Sequence, residues 1–205
     1  MLKALVLNCS LKSSTKVSST EKLSKVVCDE LEKYEVKTEM IRIADYNILP
    51  GVATNEGEGD EWPVIHDKIL DSEILIMASP TWMGSMSSFA MRIIERMDAM
   101  LSETGPDNLP VAYNHVAGFV AVGNEDGAKH VIGEISACML ELGFTVPGHA
   151  FTYFNNGAAM GKDYVETDNK KGAERAEKNA ALAARNLVSL AKALQARPIS
   201  PLSKR

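Results

Sequence analysis

Long basic runs are missing from this 205-residue chain: no run of Lys or Arg exceeds a pair such as Lys170-Lys171, and the formal net charge is −5. Nucleic-acid binding rests on phosphate neutralisation by a basic face, so that class is excluded, and anionic membrane surfaces are disfavoured for the same reason. Long apolar runs are missing too. Nothing approaches the roughly 18 consecutive apolar residues of a spanning helix. The opening run 3–8 ends at the polar Asn8, which reads as neither leader nor anchor and gives a cytoplasmic expectation. Cysteine is scarce: Cys9, Cys28 and Cys138 are odd in number and form no CxxC, so neither a disulfide framework nor a zinc site is expected. Cys28 and Cys138 sit among helical apolar positions and read as core thiols. The four histidines, His66, His115, His130 and His149, share no metal spacing; they read as structural or solvated, with His66 on a surface helix. No metal is expected.

Two nucleotide fingerprints are also absent. There is no G-x-x-x-x-G-K-[ST] and no G-x-G-x-x-G, so neither the nucleoside triphosphatase loop nor the usual dinucleotide turn is present. What is present is the composition of an ordinary globular protein, 45% hydrophobic and 24% charged. A chain of this length makes one domain and buries about 70% of its unfolded surface without staples. The expected division is a single domain over 1–196 and a frayed tail over 197–205, where Pro198 and Pro201 stand.

Apolar runs alternate with helical periodicity. Residues 3–8, 36–43, 74–78 and 116–122 read as strands, the third stopped at Ser79-Pro80, and a fifth falls at 144–146 or 150–153. Leu23, Val26, Val27, Leu31 and Tyr34 make one helical face behind Ser18, Ser19 or Thr20 as candidate caps. Asp60 is a candidate cap for a short helix carrying Trp62, Ile65 and Ile69. Further helices carry Phe89, Ile93 and Met97, then Val131, Ile135, Met139 and Leu142. The last helix places Ala173, Ala176, Ala180, Ala183, Leu187, Leu190 and Leu194 at 3,4 spacing. So much alanine favours close packing on a sheet over a coiled coil. Buried strands alternating with helices give an α/β protein with a five-stranded parallel sheet and helices on both faces. Ligands of such folds bind beyond the carboxyl ends of the strands, at the switch in strand order, which directs attention to the loops after strands one, three and four.

The first of these loops, residues 9–20, carries seven Ser/Thr hydroxyls and two lysines ahead of a helix N-terminus, a composition that suits an anion. The second, Ser79-Pro80-Thr81-Trp82-Met83-Gly84-Ser85-Met86-Ser87-Ser88, offers Trp82 and Met83 as an apolar wall for a planar ring, with Gly84 permitting close backbone approach. The alternative is that Trp82 packs under the loop as core. The third, Gly123-Asn124-Glu125-Asp126-Gly127, leaves amides pointing outward, as does a plain turn ahead of a helix. Residues 155–168, with Tyr153, Phe154 and Tyr164 near them, either border that pocket or form a disordered loop. Cys9 beside the first loop lacks a histidine partner, which leaves little case for a catalytic thiol.

Taken together, Ser10-Leu11-Lys12 with Ser18-Ser19-Thr20-Glu21-Lys22-Leu23, the second loop leading into Ile93-Ile94-Glu95-Arg96, and Gly123-Asn124-Glu125-Asp126-Gly127 resemble the flavodoxin-like NAD(P)H-dependent FMN reductase family over about residues 1–155. The nearest branch is similar to the iron–sulfur flavoproteins. The resemblance implies a flavodoxin-like three-layer sandwich that holds FMN. It implies Ser10, Lys12, Ser18 and Thr20 at the phosphate, Pro80, Thr81, Trp82, Met83, Gly84 and Ser85 along the ring, and Gly123, Asn124 and Gly127 at its other edge. Ser19, Glu125 and Asp126 complete the candidate set. The first loop is longer than the family pattern, which leaves open which of Ser13, Ser14, Thr15, Ser18 and Ser19 meets phosphate. Leu11 replaces a frequent Pro, and Met83 a frequent aromatic. The stretch 45–62, where the iron–sulfur relatives cluster cysteines, has none, so FMN is expected as the sole redox centre.

The implied activity is an enzyme, an oxidoreductase passing hydride or electrons from NADPH or NADH through FMN to a small acceptor such as a quinone, a free flavin or a nitro compound. Flavin carries the difficult chemistry, so no catalytic acid, base or nucleophile is expected. Relatives pair as homodimers or homotetramers. Two rivals share the architecture. A flavodoxin-type electron carrier without NAD(P)H activity is strongly acidic, whereas this chain is mildly so. A receiver domain needs acidic residues where Asn8-Cys9 and Ser79-Pro80 stand.

Overall fold

Residues 1–105, 108–157 and 161–201 are described by the computed structural model. Five strands, β1 (Lys3–Asn8), β2 (Lys37–Arg42), β3 (Ile74–Trp82), β5 (Val116–Val122) and β6 (Phe151–Phe154), pair in parallel in the order β2-β1-β3-β5-β6. A two-residue β4 (Ser85–Met86) pairs antiparallel with the end of β3. The chain winds outward from β1 to β2, then crosses back to β3 on the other side of β1. The switch in strand order therefore lies between β1 and β3, as in flavodoxin-like folds.

Alternation along the strands loads both faces. Leu5 and Leu7 join a core with Trp62, Ile65, Ile93, Met97, Val131 and Ile135, under α2 (Trp62–Leu70), α3 (Ser88–Met97) and α4 (Ala128–Leu142). Ala4 and Val6 face a second core with Leu23, Val27, Ala180, Ala183 and Leu187, under α1 (Ser19–Glu32) and α5 (Lys170–Ala196). Small residues bring α5 down on the sheet and on α1, the packing its alanine content favours.

Several expectations are corrected. β3 does not stop at Ser79-Pro80 but continues to Trp82. Ala78 accepts the Cys9 N–H on the β1 side, so Pro80 faces the same side two residues on, where β1 has ended and no ladder partner awaits its missing N–H. Met83 and Gly84 then turn the chain at φ 51° and 77°, a two-residue hairpin with both central residues left-handed. Met83 is a poor signal for such a turn, which hides it in the sequence. The fifth strand is Phe151–Phe154, with Thr145 making only an isolated bridge to Val116. Tyr34 lies past the end of α1 and is exposed, and Cys138 is only half-buried. His66 is buried, on the inward face shared with Trp62, Ile65 and Ile69. In the tail, the Ile199 N–H donates to Asn114 Oδ1 at 2.7 Å, which ties down a segment expected to fray; residues 202–205 lie outside the described residues.

One buried ion pair organises the long connection after β2. Arg96 of α3 donates to Asp60 Oδ2 at 2.7 Å and to the Leu49 carbonyl at 2.8 Å. The N–H groups of Leu49, Glu56 and Trp62 donate to the same carboxylate. Burial opposes the charge of Asp60. Those N–H donors and the guanidinium outweigh it and hold the carboxyl below its ordinary 3.8.

Candidate functional site

The loops after β1, β3 and β5 meet at the carboxyl edge of the sheet around an open cleft. Ser10, Lys12, Ser18, Ser19, Thr20, Pro80, Thr81, Trp82, Gly123 and Asn124 line it, joined by Leu11, Val122 and Asp163. Ten of the sixteen candidate residues thus share one cavity. Met83, Gly84, Ser85, Glu125, Asp126 and Gly127 lie behind or beside this wall, in the hairpin and the third loop.

Local chemistry at one end of the cleft suits an anion. Ser18 caps α1, its Oγ accepting the Glu21 N–H at 3.2 Å. Ser19 and Thr20, the first two helical residues, have no intrahelical acceptor for their amides, and the helix dipole adds positive potential there. Lys12 is exposed at the same end. Of the five hydroxyl residues left open, Ser18 and Ser19 line the cleft. Ser13 and Thr15 bond each other at 2.8 Å, and the Ser14 N–H is taken by Asp45 Oδ1 at 2.9 Å. Asp45 is held below its ordinary 3.8 mainly by the Ser14 N–H.

The second and third loops make the other walls. Thr81 is buried, and its Oγ1 has no hydrogen-bond partner although its residue lines the cleft. Trp82 is half exposed and Met83 is 91% exposed, so Trp82 is not core under the loop. Gly123 stands so close to Thr81 that a Cβ there would lie 2.8 Å from the Thr81 Cβ. Ser87, which sequence reasoning passed over, ties the first two loops together: its Oγ donates to the Cys9 carbonyl at 2.7 Å, and its N–H donates to Ser79 Oγ at 3.0 Å.

Residues 161–165 close a further side. The Val165 N–H donates to Ser19 Oγ at 3.2 Å, Lys22 Nζ reaches the Val165 carbonyl, and the Gly161 N–H reaches the Asn124 carbonyl. Tyr164 is buried against Phe154, with ring centroids 5.0 Å apart, and Asp163 faces the cleft. Part of the 155–168 expectation, residues 158–160, lies outside the described residues. Cys9 is buried and desolvation pushes its thiol far up, so it supplies no thiolate; the Cys28 thiol is likewise pushed up to about 11 by burial. Among the described residues, no group of three His, Cys, Asp or Glu is placed to hold a metal.

Comparison with known proteins follows the same lines. The family described as NADPH-dependent FMN reductase matches residues 2–159. The 8-demethyl-8-aminoriboflavin-5'-phosphate synthase of Streptomyces davaonensis is 35% identical over 174 residues, covering 80% of this chain and 68% of the synthase. A Mycobacterium bovis protein described as divalent metal cation transporter MntH is 32% identical over 169 residues; the match covers 80% of this chain and 25% of that protein's length. No helix among the described residues is long and apolar enough to cross a membrane. The crystal structure of RosB with bound 8-demethyl-8-formylriboflavin-5'-phosphate has a TM-score of 0.90 at 31% identity, covering 98% of this chain and 83% of that one. An NADH:FMN oxidoreductase, at TM-score 0.65 and 12% identity over 97% of this chain and 92% of its own, shares the fold.

Proposed function

This chain belongs to the NADPH-dependent FMN reductase family, a family of oxidoreductase enzymes with FMN as cofactor, and on that premise we propose that it passes hydride or electrons from NADPH or NADH through FMN in the cleft to a small quinone, flavin or nitro acceptor. The observation that carries the reading is the convergence of three loops on one cleft, with hydroxyls, Lys12 and a helix N-terminus at one end and an orphaned buried hydroxyl, Thr81 Oγ1, in its wall. Uncapped amides, Lys12 and Ser10 suit a phosphate, and Thr81 offers a hydroxyl to a ring heteroatom, so the residues fit the group.

FMN supplies hydride acceptance and release, which the side chains of this cleft do not. The chain binds and orients. Ser10, Lys12, Ser18, Ser19 and Thr20 hold the phosphate end; Pro80, Thr81, Trp82, Met83, Gly84 and Ser85 border the ring; Gly123, Asn124, Glu125, Asp126 and Gly127 close its other edge. Preorganised amides in the second and third loops favour negative charge where it develops. The exposed Trp82 and Met83 leave one side open, so that donor and acceptor alternate at one face. The protein works as a single domain over 1–196, in the cytoplasm, as a homodimer or homotetramer.

A visible absorption spectrum before and after FMN addition, followed by anaerobic NADH and then NADPH, tests this. Flavin bands that bleach with nicotinamide support the reductase. Bound flavin that stays oxidised with both donors overturns it in favour of a flavodoxin-type carrier, and a colourless protein overturns both.

A second reading is favoured by the likeness to the synthase and to RosB, whose bound molecule is an altered flavin phosphate. In that reading the same cleft takes FMN as substrate. Mass spectrometry of the flavin recovered after turnover separates the two: unchanged FMN supports the reductase, and a ring-modified flavin phosphate supports the second reading.

A further inference from the structure

The end of β2, outside the cleft, holds a buried charge that the proposed function does not use. Arg42 Nη1 donates to the carbonyl oxygens of Lys12 (2.7 Å) and Ser13 (3.0 Å), and its Nη2 donates to Glu21 Oε2 at 2.5 Å. Its side chain is 6% exposed. Three residues on, Asp45 Oδ1 accepts the Ser14 N–H at 2.9 Å. From these contacts we infer that Arg42 and Asp45 form a positioning clamp that fixes the first loop in its anion-binding shape, and so set how tightly the site holds a phosphate group they do not line.

The physical case starts from the carbonyls. A backbone oxygen facing an anion repels it, and this loop carries two in succession that the guanidinium holds on its own side. Loop carbonyls bonded to Arg42 are committed away from the ligand. Glu21 lies in the first turn of α1, so the same guanidinium fastens the loop to the helix whose amides face the cleft. Arg42 shares Glu21 with Lys25, and Asp45 lies beside it as a second carboxylate, so the two cations and two anions leave little net charge to attract phosphate at range; the contribution of Arg42 is geometric. Lysine offers one ammonium in place of a fork and does not span two carbonyls and a carboxylate together. Asp45 completes the arrangement by taking the next N–H along the loop.

The inference rests on the proposed FMN site and is tested on its phosphate. Dissociation constants for FMN and for riboflavin, which lacks the phosphate, are measured by flavin-fluorescence titration for the wild-type chain, Arg42→Met, Arg42→Lys and Asp45→Ala, alongside melting temperatures. Arg42→Met is expected to weaken FMN by about tenfold or more while riboflavin changes by less than about twofold. Arg42→Lys remains impaired. Asp45→Ala, at an exposed position, moves FMN affinity in the same direction, and it carries the test if Arg42→Met fails to fold. Unchanged FMN affinity in the variants, or an equal loss for FMN and riboflavin, overturns the clamp. A wild-type chain that binds no FMN overturns the proposed function and the clamp together; wild-type binding with indifferent variants overturns the clamp alone.

Discussion

Gly127 rests directly on Gly84: a Cβ built on Gly127 would lie 2.6 Å from both the Cα and the carbonyl oxygen of Gly84. The third loop is therefore seated on the turn of the hairpin, and the two walls of the cleft are in direct backbone contact. Gly127 also holds φ 115°, a conformation that side chains resist.

Gly127→Ala is accordingly expected to push the hairpin away and weaken FMN binding by about tenfold or more, with a loss of stability of about 1–2 kcal/mol. Fluorescence titration and thermal melting read the two effects. An alanine variant with wild-type affinity would show that the contact does not shape the cleft.

Thr81→Val separates folding from binding by sign. The Thr81 hydroxyl is buried and unpartnered, so replacing it with a methyl leaves the flavin-free protein as stable or slightly more so. With FMN present the same change removes a donor, and affinity drops about fivefold or more. Melting curves with and without FMN provide the check; destabilisation of the free protein would contradict the unpartnered hydroxyl.

Asp60 and Arg96 bury their charges together, and removing one partner leaves the other uncompensated. Arg96→Met is expected to cost about 3–5 kcal/mol, and the double variant Asp60→Asn, Arg96→Met to recover part of that loss. The carboxyl of Asp60 sits below its ordinary 3.8 in the folded protein. Its stabilisation is thus fully present above that value and is lost as pH falls through the lower folded value. Urea midpoints between pH 6 and pH 2 should fall more steeply for the wild type than for the double variant, and parallel acid limbs would remove the pair from the account.

His115 provides a second, higher limb. Burial lowers its pKa from 6.5 against the opposing bond to the Ser72 carbonyl at 2.6 Å. The neutral ring is favoured in the fold, so its contribution is complete above 6.5 and declines as pH drops toward the folded value. Stability measured from pH 8 to pH 5 should soften for the wild type and stay flatter for His115→Gln; an equally sloped variant would count against it.

Much of the fold was legible in the chain. The runs at 3–8 and 116–122 match β1 and β5, the Ser18 cap starts α1, and the alanine spacing of α5 anticipates its close packing. These features depend on neighbours within a few residues, where periodicity and capping chemistry are complete signals. The three loops were legible on a different ground, since a parallel α/β order sets the carboxyl ends of its strands along one edge of the sheet.

Sequence alone thus determined the layered α/β order, the hydroxyl-rich first loop and the absence of cysteine ligands. Only the tertiary structure decided that Arg42 grips residues 12 and 13, that Asp60 meets Arg96, that Ser87 bridges two loops, and that Gly127 sits on Gly84. Each of those pairings joins residues about 30 or more apart in the chain. Their partners are chosen by which strands lie side by side, and no local propensity carries that information.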